Sequence, residues 1–171
     1  MCIRDSFSEH PVQVLRHGKR LITLGNLNKA ATARVFPLLR SGAIWFGAIN
    51  GRAMFFDRPD GTVAAMGNTL WFTNLQHGLK PWLPVHVEYV PGAYTFCDNG
   101  ALNVGGVAGI PRDYAGVMAV PISFLPYWNP EQFELLGQCA PMADGRRLYR
   151  RILIRHCAPS CHRGGGGLIF T

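Results

Sequence analysis

Six arginines crowd residues 146–163: Arg146, Arg147, Arg150, Arg151, Arg155 and Arg163, with only Asp144 beside them in opposition. A guanidinium is a planar fork of donors that meets a phosphate or a guanine edge bidentately, which an ammonium does not. The cluster reads as a contact to a nucleic-acid backbone, with Arg146, Arg147, Arg150 and Arg151 as the candidate phosphate ligands. A solvated strand face is the plainer reading of the same residues. A second group is Gly25-Asn26-Leu27-Asn28, directly after a short apolar run. The amides of Asn26 and Asn28 can donate and accept at once, as contact with a base or a ribose requires. The alternative is that both are turn and cap residues. Trp71-Phe72-Thr73-Asn74 and Tyr127-Trp128-Asn129 likewise join stacking surfaces to amides, a combination that suits bases outside a duplex. Aromatic core with amide caps is the competing reading.

The five cysteines are Cys2, Cys97, Cys139, Cys157 and Cys161. An odd count at wide spacing, with no apolar leader before it, points to free thiols in a reducing cytoplasm. His156, Cys157, Cys161 and His162 have the donor types zinc prefers, but their spacing matches no known finger and a glycine run follows at once. A frayed tail without metal is expected there. Cys97, Asp98 and His86 sketch a nucleophile, an orienting group and a base, yet nothing in the sequence fixes their geometry and no nucleophile elbow is present. Neither G-x-x-x-x-G-K-[ST] nor G-x-G-x-x-G occurs, which argues against an ATPase or a dinucleotide-binding dehydrogenase.

These residues need elements to hold them. Ser8, Glu9 and Pro11 open a short helix that Gly18 stops. Leu21-Ile22-Thr23-Leu24 is a short apolar run, the pattern of a buried strand in a parallel sheet. Residues 29–40 read as a helix kinked at Pro37, and Ala43-Ile44-Trp45-Phe46 as the next strand. Helix, strand, helix, strand is the half-unit of a doubly wound α/β sheet. After it the helical signal fades. Residues 54–63 read as strand, turn and return strand around Pro59-Asp60-Gly61. Thr69–Thr73 is rich in β-formers, and Val85, Val87 and Tyr89 alternate as a half-buried strand. Residues 91–116 read as loop. Asn129-Pro130-Glu131-Gln132 carries the signals of a helix start, and 147–156 reads as a basic strand.

Composition bounds the whole. The chain has 171 residues, 48% of them apolar, which suits one domain or a large piece of one. No apolar run approaches the ~18 residues of a membrane span. Seventeen basic against ten acidic residues leave a net charge of +7. Only 16% of residues are charged, against about 25% in an average soluble domain, so part of the surface is expected to be covered by missing chain, a partner or a ligand.

Several segments in order resemble one family, the EcoRI-type adenine-specific DNA methyltransferases. They are Leu24-Gly25-Asn26-Leu27-Asn28, Val35-Phe36-Pro37-Leu38-Leu39, Ile44-Trp45-Phe46-Gly47, Gly67 through Leu75, and Ala101-Leu102-Asn103-Val104. The strongest runs from Ile110-Pro111-Arg112-Asp113-Tyr114 through Gly116–Leu125 to Asn129–Glu134, and Arg150–Arg155 resembles the family's terminal strand. The resemblance spans roughly residues 7–156.

It implies an α/β fold: the second half of a doubly wound S-adenosylmethionine-dependent methyltransferase sheet, followed by a mixed β-rich C-terminal region. The organisation expected is a non-native leader over 1–6, a partial methyltransferase domain over 7–75, a DNA-facing region over 76–156 and a disordered tail over 157–171. The implied reaction is methyl transfer from S-adenosylmethionine to a flipped adenine in double-stranded DNA, with a restriction endonuclease as counterpart in the same system. In the family, an Asn-Pro-Pro-Phe motif holds that adenine and its Phe stacks on the base. Phe7 matches the end of this motif, which makes it the one catalytic residue carried over. The family's glycine-rich cofactor loop and the Asn-Pro-Pro are absent from this sequence, so the chain alone is expected to be inactive. A non-enzymatic nucleic-acid-binding module is the alternative.

Overall fold

The structure is a computed structural model that describes residues 6–47, 54–77, 82–139 and 151–157. The chain divides into two compact units, Met1–Lys80 with Leu125–Tyr127, and Pro81–Phe124 with Trp128–Thr171.

In the first unit, α1 (Ser6–Arg16) begins two residues before the expected cap at Ser8. Pro11 lies inside it, and having no N–H it leaves the first turn without one of its bonds. Gly18, at φ 62°, takes the left-handed position that closes the helix. β1 (Ile22–Asn26) and β2 (Trp45–Phe46) lie on either side of β5 (Thr69–Thr73), each antiparallel to it. β1 and β2 therefore run in the same direction, as the strand-helix-strand reading requires, but they do not pair with each other. The parallel partner expected for the Leu21–Leu24 run is not among the described residues, where β1 is an edge strand.

The single kinked helix expected over 29–40 is two short helices, α2 (Leu27–Ala30) and α3 (Phe36–Arg40). Pro37 starts the second one rather than kinking a continuous one, because a proline fits a first turn whose N–H groups have no partner. The hairpin of β3 (Met54–Asp57) and β4 (Val63–Met66) is as expected. Asp60 Oδ1 accepts from the backbone N of Thr62 at 2.9 Å and from its hydroxyl at 2.6 Å, tying the turn. These two bonds hold the Asp60 carboxyl below the usual carboxylate range.

The second unit is a mixed sheet in the order β6 (Thr95–Phe96), β7 (Leu102–Asn103), β8 (Met118–Pro121), β10 (Arg151–His156), β9 (Phe133–Gln138). Only β7 and β8 pair in parallel. One sheet face is closed: Leu102, Met118, Val120, Leu135, Ile152 and Ile154 are buried, and Phe124 meets Phe133 edge-on at 5.3 Å. The short strands β6 and β7 fall in a stretch expected to be mostly loop. The expected strand at Val85–Tyr89 is a single bridge from Val87 to Pro111. The helix expected at Asn129 is also replaced. Asn129 Oδ1 accepts from Glu131 N at 2.9 Å, but one turn later the chain enters β9. Gln132 does not cap. Its amide accepts from Leu83 N at 2.8 Å and donates to Leu83 O at 2.7 Å, a tertiary clamp that outcompetes the local signal. Among the described residues no helix is long and apolar enough to cross a membrane.

Candidate nucleic-acid interface

The end of β1 turns directly into α2. Asn26 is the N-cap, and its Oδ1 accepts from Asn28 N at 2.9 Å. Leu27 N donates to Asn68 O at 2.7 Å, which ties this corner to the β4–β5 turn. Asn68 itself sits at φ 55°, a position asparagine tolerates better than most residues. Asn26 and Asn28 are both exposed. The oxygen of one amide is thus committed to structure, and the surface at the strand end is polar.

The cross-strand register sets what lies beside it. Ile22, Leu24 and Asn26 share a face of the sheet with Thr69 and Trp71. Ile22 is 64% exposed, Leu24 39% and Trp71 37%. The opposite face carries Phe46, Leu70 and Phe72, all buried, with the rings of Phe46 and Phe72 5.0 Å apart. Gly47 allows Trp71 its place: a Cβ at residue 47 would stand 2.8 Å from the Trp71 Cβ.

The aromatic-amide segments resolve largely into scaffolding. Asn74 accepts from Leu21 N at 2.7 Å and donates to Lys19 O at 3.0 Å, holding the start of β1. Asn129 is buried, and Trp128 donates to Phe133 O at 2.7 Å. Sequence reasoning offered these amides as ligand contacts; the clamps made by Asn74 and Gln132 depend on residues about fifty positions away, which no local pattern reveals.

Of the candidate phosphate ligands, Arg146, Arg147 and Arg150 lie outside the described residues. Arg151 opens β10, and its guanidinium donates to Val104 O and, at 3.4 Å, to Ala119 O. Arg151 is half-buried across the sheet rather than extended into solvent. Arg155, Arg112 and Arg34 pair with Glu134, Glu88 and Glu9 on the surface. Phe7 lies in the first turn of α1, and its side chain is outside what is described. Asn26 and Asn28 belong to the first unit and Arg151 to the second.

The thiol readings are also decided in part. Burial and the neighbouring Cys139 push the Cys97 thiol up, with Arg151 opposing. A nucleophilic cysteine needs the reverse, and no histidine is among the groups that perturb it. His156 Nε2 donates to Pro111 O at 2.7 Å, and its ring packs tilted on Phe133 at 4.8 Å. Cys161 and His162 lie outside the described residues, and among those described no three His, Cys, Asp or Glu side chains are grouped to hold a metal.

The described residues do not compose a site for S-adenosylmethionine. In doubly wound sheets a ribose-bearing ligand is commonly held by a glycine-rich strand-to-helix turn and a carboxylate on its ribose. Here β1 ends in a capped four-residue helix, and the sequence has no Asp or Glu between Glu9 and Asp57.

The described residues form a mixed α/β arrangement with several sheets, which is consistent with a methyltransferase-like fold. The sequence model of the adenine-specific methyltransferase EcoRI family matches residues 5–151, and the chain belongs to that family. It is similar to the type II methyltransferase M.EcoRI of Escherichia coli, with 31% identity over 88% of this chain and 54% of that protein. It is 28% identical to M.MpnI of Mycoplasma pneumoniae over 76% of this chain and 47% of the relative. Similarity to M.MgeORF184P of Mycoplasma genitalium is 27% over 72% and 45%. The chain spans about half the length of these relatives. No solved structure matches it significantly.

Proposed function

We propose that the chain is the C-terminal part of an N6-adenine-specific DNA methyltransferase. The whole enzyme takes a methyl group from S-adenosylmethionine, flips an adenine out of double-stranded DNA and methylates its amino group. A restriction endonuclease in the same system recognises the same DNA. The observation that carries this is the ordered family match over residues 5–151, at about half the length of the relatives. On this reading the bare face of Ile22, Leu24 and Trp71 is where the remaining chain lies. A strand run that is apolar on both faces belongs to a sheet covered on both sides.

The chain's own residues bind and position. Asn26 and Asn28 stand at the strand end near the base pocket. Arg146, Arg147, Arg150 and Arg151 meet phosphates, and Phe7 stacks on the flipped base. Methyl transfer depends largely on holding the amino nitrogen in line with the donor. On this reading the donor is held by the rest of the enzyme, and the chain alone catalyses nothing.

Two measurements test this. The reading frame in the source DNA, followed upstream of Phe7, continues into Asn-Pro-Pro and a glycine-rich turn. The extended protein yields N6-methyladenine in duplex DNA, while the 171-residue chain yields none. Methylation by the short chain, or of cytosine by the long one, overturns the proposal. A second reading, a nucleic-acid-binding module without catalysis, is favoured by the missing donor site. An extended protein that gives no heat on titration with S-adenosylmethionine would establish it instead.

A further inference from the structure

By register, Cys97 and Cys139 belong to opposite corners of the five-stranded sheet. Cys97 follows β6 at one edge, where its N donates to Ala101 O at 2.8 Å. Cys139 follows β9 at the other edge, where its N donates to Arg151 O at 3.0 Å. In a flat sheet the two edges would lie roughly 19 Å apart, four strand spacings. Yet Asn99 Nδ2, in the turn that Cys97 opens, donates to Cys139 Sγ at 3.5 Å, and Cys139 is among the groups that push the Cys97 thiol up. The twist of the sheet, coiled tightly, has folded one diagonal over onto itself. Arg151 crosses the same face to Val104 O and Ala119 O, so the thiols meet beside a guanidinium.

The geometry points to Cys97 and Cys139 as a dithiol site that a peroxide closes to a disulfide, stapling the two corners of the second unit. Both thiols are half-buried, and neither lies within a strand. The reaction balances without any further reactant. The Cys139 thiolate attacks hydrogen peroxide, forming an S–O bond as the O–O bond breaks, and the leaving oxygen departs as water. Cys97 then gives its proton to solvent and attacks the sulfenic sulfur, forming the S–S bond as a second water leaves. Two thiols lose two electrons, and one peroxide becomes two waters. Cys97 suits the second step. Its burial keeps it protonated at neutral pH, which handicaps attack on a free oxidant but matters less for a neighbour already held in contact. The staple joins residues 42 positions apart (139 − 97), so it restricts the unfolded chain and stabilises the folded unit. This site is independent of the methyl-transfer reading.

The test uses the full chain with Cys2, Cys157 and Cys161 changed to Ser, treated with hydrogen peroxide and then alkylated. Expected are a mass lower by about 2 Da, loss of both alkylation sites, and a peptide linking residue 97 to residue 139. The thermal midpoint rises by about 5 °C or more and falls back on addition of dithiothreitol. Adding Cys97→Ser or Cys139→Ser abolishes the mass loss. If either serine variant fails to fold, the alanine variants and the linkage map of the parent chain decide. Two thiols that stay alkylatable, separate gains of about 32 Da to sulfinic acid, or links only between molecules overturn the proposal.

Discussion

The two units bury their sheets differently. In the second, one face is fully closed: Leu102, Met118, Val120, Ile152 and Ile154 have no exposure at all. In the first, Phe46, Leu70 and Phe72 are buried with Ala30, Ala31, Val35, Phe36, Leu39 and Ile44, while Ile22, Leu24 and Trp71 on the other face remain open to water. The second unit has thus closed this sheet face with its own residues, while Trp82, Val90 and Phe96 elsewhere in it stay exposed. The first covers one face fully and the other in part: Trp45 and Thr73 are buried there beside the open Ile22, Leu24 and Trp71. An apolar face beside the edge strand β1 is a template for association.

The largest expected effect breaks the closed unit. Phe133→Ala removes a fully buried ring packed on Phe124 and His156, and should cost about 3–5 kcal/mol, read as a lowered midpoint in urea. If the change costs less than about 1 kcal/mol, the second unit is not the well-packed one. Gly47→Ala comes next. Its new methyl meets the Trp71 Cβ, and a loss of about 1–3 kcal/mol is expected in the first unit. Asn74→Ala strips the clamp at the start of β1 and leaves Leu21 N without its acceptor, a cost of about 1–3 kcal/mol visible as faster hydrogen exchange in β1.

A sharper comparison comes from the open face. Ile22→Lys with Leu24→Lys should change the midpoint of the isolated chain by less than about 1 kcal/mol while raising its solubility. In the extended protein the same pair should be strongly destabilising, and equal tolerance in both would show that the face is never covered. Replacing Arg146, Arg147, Arg150 and Arg151 with Ala in that protein should weaken DNA binding and flatten its salt dependence by up to about 3.6 logarithmic units of slope, 0.9 for each phosphate contact. Since Arg151 already donates to two carbonyls, a flattening nearer three contacts than four is expected. The smallest effect is at the hairpin. Asp60 has a lowered pKa when folded, so its contribution is present above the unfolded value and lost as pH falls through the folded one. Protection of Thr62 N, its exchange measured against the intrinsic rate at each pH, should fall on acidification, and Asp60→Asn should remove that pH dependence.

Much of the chain was legible from local pattern alone. The β3–β4 hairpin follows from Pro59-Asp60-Gly61, the end of α1 from Gly18, and β5 from a run of β-formers, because each depends on neighbours within a few residues. The family, too, was legible, since an ordered set of segments is a property of the sequence itself. Tertiary structure decided what local signals left ambiguous. Asn129-Pro130-Glu131-Gln132 has every mark of a helix start, yet Gln132 bonds to Leu83 and the chain becomes β9, because two well-formed long-range bonds outweigh weak helix propensity. Arg151 reads as one of a basic cluster but reaches carbonyls on the neighbouring strand and just beyond the strand after it. Cys97 and Cys139 are unrelated in sequence and adjacent only because a coiled sheet brings its corners together. Residue type and spacing fix what a segment can form. Which of those options is realised depends on partners dozens of residues away, and only the folded chain brings them within bonding distance.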